Sequence, residues 1–329
     1  MHDKPAPADY ASLTPDTLLG AVESLGYLTS GQLLALNSYE NRVYQVGLED
    51  AAPLIVKFYR PHRWSDAAIL EEHTFTLELT EHEIPVVAPL QRSGVTLHRF
   101  KGYRFAVYPR QGGHWPELGS CEERMWMGRF IGRIHAVGST RPFEHRPALD
   151  IESFARHPYR FLLEGGFLPD HIETAYRTLA SDLIDQINGC FETAGNIPAI
   201  RLHGDCHPGN VLWTDDGPHF VDLDDCRSGP AIQDLWMLLS GDRNDMQVQL
   251  GEILDGYLQF YELDYRELQL IEALRTLRMI HYAGWLARRW DDPAFPRAFP
   301  WFNTPRYWEE HILALREQAA LLQEPPLVV

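Results

Sequence analysis

The chain has 329 residues, 45% hydrophobic and 23% charged, the make-up of a soluble globular protein with room for two domains or one two-lobed domain. Its formal net charge of −17 excludes a general nucleic-acid binder, because no basic excess exists to neutralise phosphates. No run reaches the ~18 apolar residues that span a bilayer. The opening Met-His-Asp-Lys-Pro-Ala-Pro lacks the apolar core of a signal peptide, and the cysteines at 121, 190, 206 and 226 show no paired spacing. A reducing cytoplasm is therefore the expected compartment.

The first ten residues, rich in Pro and Ala, are expected to be loose. Thr14-Pro-Asp then opens a helix, with Thr14 as cap and Leu18, Leu19, Val22 and Leu25 at helical spacing before Gly26 ends it. Residues 36–46 predict a strand, a polar turn over Ser38-Tyr-Glu-Asn-Arg, and a second strand at Val43–Val46. Leu54-Ile-Val-Lys-Phe-Tyr reads as a buried strand, followed by a helix from Arg63-Trp-Ser-Asp to Leu79. Val86–Leu90, Thr96–Phe100 and Tyr103–Tyr108 complete a small, mainly antiparallel sheet. Gln111-Gly-Gly marks the boundary between an N-terminal lobe, 1–110, and a C-terminal lobe, 111–329.

Beyond it the pattern is helical. Met125 to Val137 form one apolar face, with Gly128 and Gly132 allowing close helix contact, and further helices are predicted near 150–163, 170–194, 231–241, 246–261 and 265–290. One hairpin interrupts them, with strands at Val211-Leu212 and Phe220-Val221 around a turn at Asp215-Asp-Gly-Pro. The fold class is thus α+β, a sheet-rich lobe followed by a helical lobe that carries one hairpin. The aromatic stretch from Ala294 to Phe302 reads as packing of the second lobe, or else as a wall of a substrate cleft.

Lysine is rare here: Lys4, Lys57 and Lys101 are the three in the chain. Lys57 sits inside an apolar strand, where a cation needs a carboxylate partner or an anionic ligand unless the strand is an edge facing water. Glu71 and Glu72 on the next helix both qualify as that partner, giving a phosphate-binding lysine. The turn around Ser38 could cover a phosphate chain with backbone N–H groups and the Ser38 hydroxyl, although it lacks glycines and reads equally as an ordinary hairpin turn. No Walker-type loop exists in the chain.

The strongest pattern is His203-Gly-Asp205 followed by Asn210 and then Asp222. Phosphoryl transfer from a nucleotide needs hard oxygen ligands for Mg²⁺ and a carboxylate at the attacking hydroxyl. Asp205 would accept from that hydroxyl, while Asn210 and Asp222 would hold metal. A turn of merely structural polar residues is the bland alternative. A metallophosphoesterase is another, disfavoured because its ligands normally come from several βα loops and this region is helical. His135 reads as a packed helix histidine, Asp234 as a brace for the Asp205 loop, and Cys206 and Cys226 as inert. Asp224 and Asp225 could assist the metal or merely raise the negative potential.

These elements, in this order, resemble the protein-kinase-like fold, and His203-Gly-Asp-Cys-His-Pro-Gly-Asn-Val-Leu is similar to the catalytic loop of its aminoglycoside phosphotransferase and choline kinase branch. Within that branch, Leu36–Gln45, Val56-Lys-Phe-Tyr-Arg-Pro, Ile69-Leu-Glu-Glu-His, Phe220-Val-Asp-Leu-Asp-Asp and Asp291-Asp-Pro-Ala-Phe-Pro resemble the stress response kinase A family, bacterial kinases that phosphorylate serine and threonine in proteins. The resemblance implies a bilobal fold, ATP and Mg²⁺ as cofactors, Asp205 as proton acceptor, and Asn210 and Asp222 as metal ligands. It also implies Ser38 in the nucleotide loop, Lys57 on the α- and β-phosphates, Glu72 as the partner of Lys57, and adenine against Val107–Gly113. The expected partner is a protein substrate, including the chain itself by autophosphorylation, with no nucleic acid and no membrane, and a monomer is expected. His207 stands where ordinary protein kinases carry a catalytic-loop lysine, Asp-Leu-Asp replaces Asp-Phe-Gly, and no Ala-Pro-Glu follows. Small-molecule kinases share these departures, so a small alcohol acceptor is the second reading and a nucleotide-binding pseudokinase the third.

Overall fold

The computed structural model describes residues 10–329, so the expectation of a loose N-terminus falls, Tyr10 apart, outside the described residues. The chain forms two compact units. The first contains the described residues up to Gly119 together with Phe143–Arg146 and His207–Cys226; the second contains Ser120–Pro142, Pro147–Cys206 and Arg227–Val329. The hairpin segment thus belongs to the first unit, although helices flank it in sequence.

In the first unit, α1 (Pro15–Glu23) is capped by Thr14, whose side chain accepts from Thr17 N–H, with Pro15 in the first turn. A five-stranded antiparallel sheet follows in the order β1-β2-β3-β5-β4, from β1 (Thr29–Ala35), β2 (Arg42–Leu48), β3 (Leu54–Phe58), β4 (His98–Phe100) and β5 (Tyr103–Pro109). β1 lies earlier than expected, because the chain from Leu36 to Asn41 is given to the turn instead. β3 is central: its even residues Leu54, Val56 and Phe58 enter the core with Val107 and Phe105, while Ile55 and Lys57 alternate with them and line a cavity. α2 (Asp66–Glu81) starts at Ser65, whose hydroxyl accepts from Ala68 N–H. Its inward face is Ile69, Glu72, His73, Phe75, Thr76 and Leu79, while Leu70 is 43% exposed.

The stretch Val86–Leu90 is not a strand of that sheet. Pro85 and Pro89 remove two backbone donors, and the others diverge: Val86 N–H turns back to Ile84 C=O, Val87 N–H bonds Phe220 C=O and Leu90 N–H bonds Val107 C=O. The hairpin itself forms as expected: beyond β6 (Ile200–Leu202), β7 (Val211–Thr214) pairs with β8 (Gly217–Phe220). One flank is held by the Val86–Phe220 bridge and the other by reciprocal bonds between His114 and Trp213. Gly113 has φ +145°, and a Cβ there would lie 2.9 Å from Trp213 O, so the close approach needs glycine.

The second unit is mainly helical. α3 (Cys121–Gly138) begins in a capping box made by Ser120 and Glu123. A π-turn (Glu152–Arg156) leads into α4 (His157–Glu164), followed by α5 (Asp170–Ala194), α6 (Ile232–Trp236), α7 (Arg243–Tyr257), α8 (Ile271–Arg288), α9 (Ala294–Ala298) and α10 (Pro305–Leu321). α3 and α7 meet backbone to backbone: a Cβ on Gly128 would fall 1.9 Å from Ile253 O, and one on Gly256 2.1 Å from Met125 O. β6 (Ile200–Leu202) pairs antiparallel with β9 (Arg227–Gly229), and both are largely buried. The aromatic stretch packs as expected, with Phe295, Phe299 and Phe302 buried among Trp285, Trp290 and Trp308. No helix among the described residues is long and apolar enough to cross a membrane.

Candidate active site

Lys57 lies on the central strand, 6% exposed, which excludes the solvent-facing reading. Such a cation is tolerable only if paired. Its Nζ donates to Asp222 Oδ1 at 2.8 Å, and stands 3.4 Å from Asp224 Oδ1 and 3.6 Å from Glu72 Oε1. Burial alone would lower the Lys57 pKa, but Asp222, Asp224 and Glu72 outweigh it and hold the ammonium well above its ordinary value. Glu72 is the most distant of the three, and its Oε2 has no hydrogen-bond partner. Burial pushes its carboxyl up to about 7 against the pull of Lys57. The shared cation therefore serves Asp222 and Asp224 first, and Glu72 is the acid that a proton neutralises.

Glu71 faces elsewhere. Its carboxylate accepts the backbone N–H groups of Glu144, His145 and Arg146 at 2.6, 2.8 and 2.7 Å, stapling that loop to α2. Helical geometry sends adjacent residues to different faces, so only one of the pair could reach β3.

Asp222 is a non-glycine residue in the left-handed region, φ 58° and ψ 59°, with its side chain 52% exposed. Asp is one of the few residue types that adopt this conformation at modest cost. Two residues on, Asp224 is 3% exposed. It takes Asn41 Nδ2 at 3.0 Å and an Arg63 guanidinium N–H, while Arg146 donates to its carbonyl and to that of Cys226. Burial would raise the Asp224 carboxyl, yet Arg63 and Lys57 prevail and hold it at about 2. Asp224 is thus a hub that ties the turn before β2, the start of α2 and the segment after β8 together. Among the residues missed from sequence, Arg63 and Asn41 gave no local signal, being 161 and 183 residues from this partner.

Lys57, Glu72, Ser38, Asn210 and Asp222 all line one cavity of about 380 Å³ in the first unit. Leu36, Val43, Ile55, Tyr108, Leu212 and Val221 supply its apolar walls. A cavity that combines apolar walls with a charged lysine suits a flat base carrying an anionic tail. Tyr108, Pro109 and Gln111, from the stretch expected to meet adenine, are among its walls. The Ser38 hydroxyl donates to Asn41 C=O at 3.2 Å, closing the turn on itself. Val221 N–H bonds Asn210 C=O at 3.0 Å, which sets Asn210 beside the strand end that carries Asp222. An amide and a carboxylate oxygen are hard donors that fit a divalent cation completed by phosphate and water oxygens. Among the described residues no group of three or more His, Cys, Asp or Glu is placed to hold a metal alone.

Asp205 belongs to the second unit, in the loop leaving β6. That loop is held by Asp234, 1% exposed, whose two carboxylate oxygens accept His203 N–H and Gly204 N–H at 2.8 Å each. His135 Nε2 lies 3.1 Å from Asp234, and His135 Nδ1 lies 2.8 Å from the Tyr257 hydroxyl. Asp234 and His135 therefore have the bracing and packing roles their sequence contexts suggested. His203, Gly204 and Cys206 are buried, and Asp205 between them is not. Its carboxylate receives an N–H of Arg278 from α8, a partner 73 residues away that sequence spacing did not reveal. Cys206 is fully buried, and burial first, then Asp234 and Asp205, push its thiol well above its ordinary value, as an inert cysteine requires.

A buried lysine among carboxylates, a cavity for an anionic ligand and a braced Asp loop define a phosphotransferase of the protein-kinase-like fold, and the chain belongs to the phosphotransferase enzyme family, which matches residues 32–271. It is 43% identical over 97% of its length to a serine/threonine protein kinase of Salmonella typhimurium, RdoA, covering 96% of that protein. It is 44% identical, with the same coverage, to stress response kinase A of Escherichia coli O157:H7. Among solved structures, an amicoumacin kinase in complex with AMP-PNP, Ca²⁺ and Ami superposes with a TM-score of 0.69 at 20% identity, over 88% of this chain and 92% of the other. The family membership removes the phosphoesterase alternative, and the α+β kinase-like fold expected from sequence is borne out.

Proposed function

We propose that the chain is an ATP- and Mg²⁺-dependent kinase that phosphorylates serine or threonine hydroxyls of proteins in the bacterial cytoplasm during stress. The observation that carries the nucleotide half is Lys57, buried yet held charged by Asp222, Asp224 and Glu72 inside a cavity lined by Ser38 and Asn210. The acceptor half rests on near full-length identity of 43% to a serine/threonine protein kinase.

In this reading Lys57 binds the α- and β-phosphate oxygens, and Glu72 keeps it from turning wholly to Asp222. Asn210 and Asp222 would hold the divalent cation, which supplies charge neutralisation on the phosphate oxygens when bound. Ser38 and the backbone of its turn cover the phosphates, and the apolar walls exclude water from the base. Asp205 accepts the proton of the attacking hydroxyl, with Asp234 fixing the loop that presents it. Control by activation-loop phosphorylation has no support, because the segment after Asp225 is short and forms β9.

A small alcohol acceptor is the second reading, favoured by the amicoumacin kinase, which binds a small molecule on this fold. Incubation with γ-labelled ATP and Mg²⁺ separates the two. Label on protein, lost in Asp205→Ala while ATP still binds, is the expected result. Label found only in a small acceptor would give the second reading, and ATP binding without transfer to anything would give a pseudokinase.

A further inference from the structure

The structure assigns to Arg278 the role of positioning residue for the catalytic carboxylate: it orients Asp205 and offsets the negative charge that Asp205 brings to an incoming phosphate chain. This rests on the phosphoryl-transfer reading above. Arg278 projects from α8, two turns into the helix, and donates an N–H to Asp205 Oδ1.

Stability does not explain this pair. The side chains are 41% and 23% exposed, and an ion pair so open to water is screened and adds little to stability. Neighbouring arginines of α8 are spent on packing. Arg275 bonds Glu272 and lies over the Trp236 ring, and Arg288 lies over Phe161. Among the described residues the two lysines are placed elsewhere: Lys57 is committed to the cavity and Lys101 occupies the turn between β4 and β5.

The chemistry calls for a cation here. In the transfer, Asp205 takes the hydroxyl proton and the acceptor oxygen bonds to phosphorus. The bond from phosphorus to the leaving nucleoside diphosphate breaks, its electron pair going to the diphosphate. A base must sit ~3 Å from the hydroxyl oxygen, and that oxygen ~3–3.5 Å from phosphorus, so a carboxylate unavoidably stands near polyanionic phosphate. A guanidinium on one oxygen of that carboxylate lessens the repulsion and holds the carboxylate in one orientation. Its planar fork, with N–H groups to spare, does this with less rotational freedom than an ammonium would.

Arg278→Ala and Arg278→Gln in the full chain test the assignment, using the acceptor that wild type labels. Transfer by wild type and its loss in Asp205→Asn must hold first; if they do not, the phosphoryl-transfer reading fails rather than this one. Given both, Arg278→Ala is expected to lower kcat ~10²-fold with KM for ATP changed less than about twofold. Arg278→Lys should regain ~10-fold of that loss, and added guanidinium should raise the alanine variant's rate. Wild-type kcat in folded Arg278→Gln, which keeps polarity without charge, overturns the assignment. So does a loss that neither lysine nor guanidinium relieves in a variant with unchanged thermal unfolding.

Discussion

Replacing Lys57 with Met keeps the length of the side chain and removes the charge that three carboxylates share. The partners will not suffer equally. Asp222 is half exposed, so its separation from a cation is screened and costs little. Asp224 keeps Arg63 and Asn41. Glu72 is left as a buried carboxylate, already pushed up to about 7 with Lys57 in place. Breaking a buried pair by removing one partner costs ~3–5 kcal/mol when the other must stay charged. At pH 8 a loss of ~3 kcal/mol is therefore expected. At pH 6 Glu72 is protonated in either protein, and the loss should shrink to the ~1.5 kcal/mol of a hydrogen bond to a charged group. Urea denaturation at the two pH values, with unchanged m, measures both. The double variant Lys57→Met/Glu72→Gln should recover most of the pH 8 loss. Equal losses at pH 6 and pH 8, or no recovery in the double variant, would refute the view that Glu72 is the acid left stranded.

Glu72→Gln alone has the opposite sign. With a folded value of about 7 above the ordinary carboxylate range, Glu72 binds extra protons in the folded state, so its contribution falls as pH rises toward 7. The glutamine variant should match wild type in Tm near pH 5 and exceed it at pH 8; a Tm lower by the same amount at both would contradict this. Asp234→Ala removes the acceptor of two buried backbone N–H groups and should cost ~2–4 kcal/mol in urea denaturation, with kcat reduced and ATP affinity kept. Gly128→Ala places a methyl 1.9 Å from Ile253 O and must separate α3 from α7, a loss of ~2–4 kcal/mol measurable as a fall in Tm of several degrees.

What could be read from the sequence was what local pattern encodes. Lys57 was conspicuous because lysine is scarce and its strand apolar, and the hairpin followed from turn chemistry between two short apolar runs. Asp234 was legible as a brace because an acid just inside a short helix is well placed to accept backbone N–H groups. The choice between Glu71 and Glu72 was not, since both precede the same apolar face and only the helix rotation separates them. Val86–Leu90 misled because apolar content outweighed the two prolines that divide its hydrogen bonding. α10 was overlooked although Thr304 and Pro305 form the same start signal as Thr14 and Pro15. The Asp224 hub and the Arg278 contact are long-range pairings, and no local pattern carries them.

The central claim is that Asp205 takes the proton from a serine or threonine hydroxyl of a protein while Lys57 holds the nucleotide. Mass spectrometry of proteins incubated with ATP and Mg²⁺ tests it most directly, comparing wild type with Asp205→Ala. Phosphoserine or phosphothreonine made by wild type and absent with the variant, at equal ATP binding, is the result predicted here. Equal phosphorylation by both proteins would contradict it.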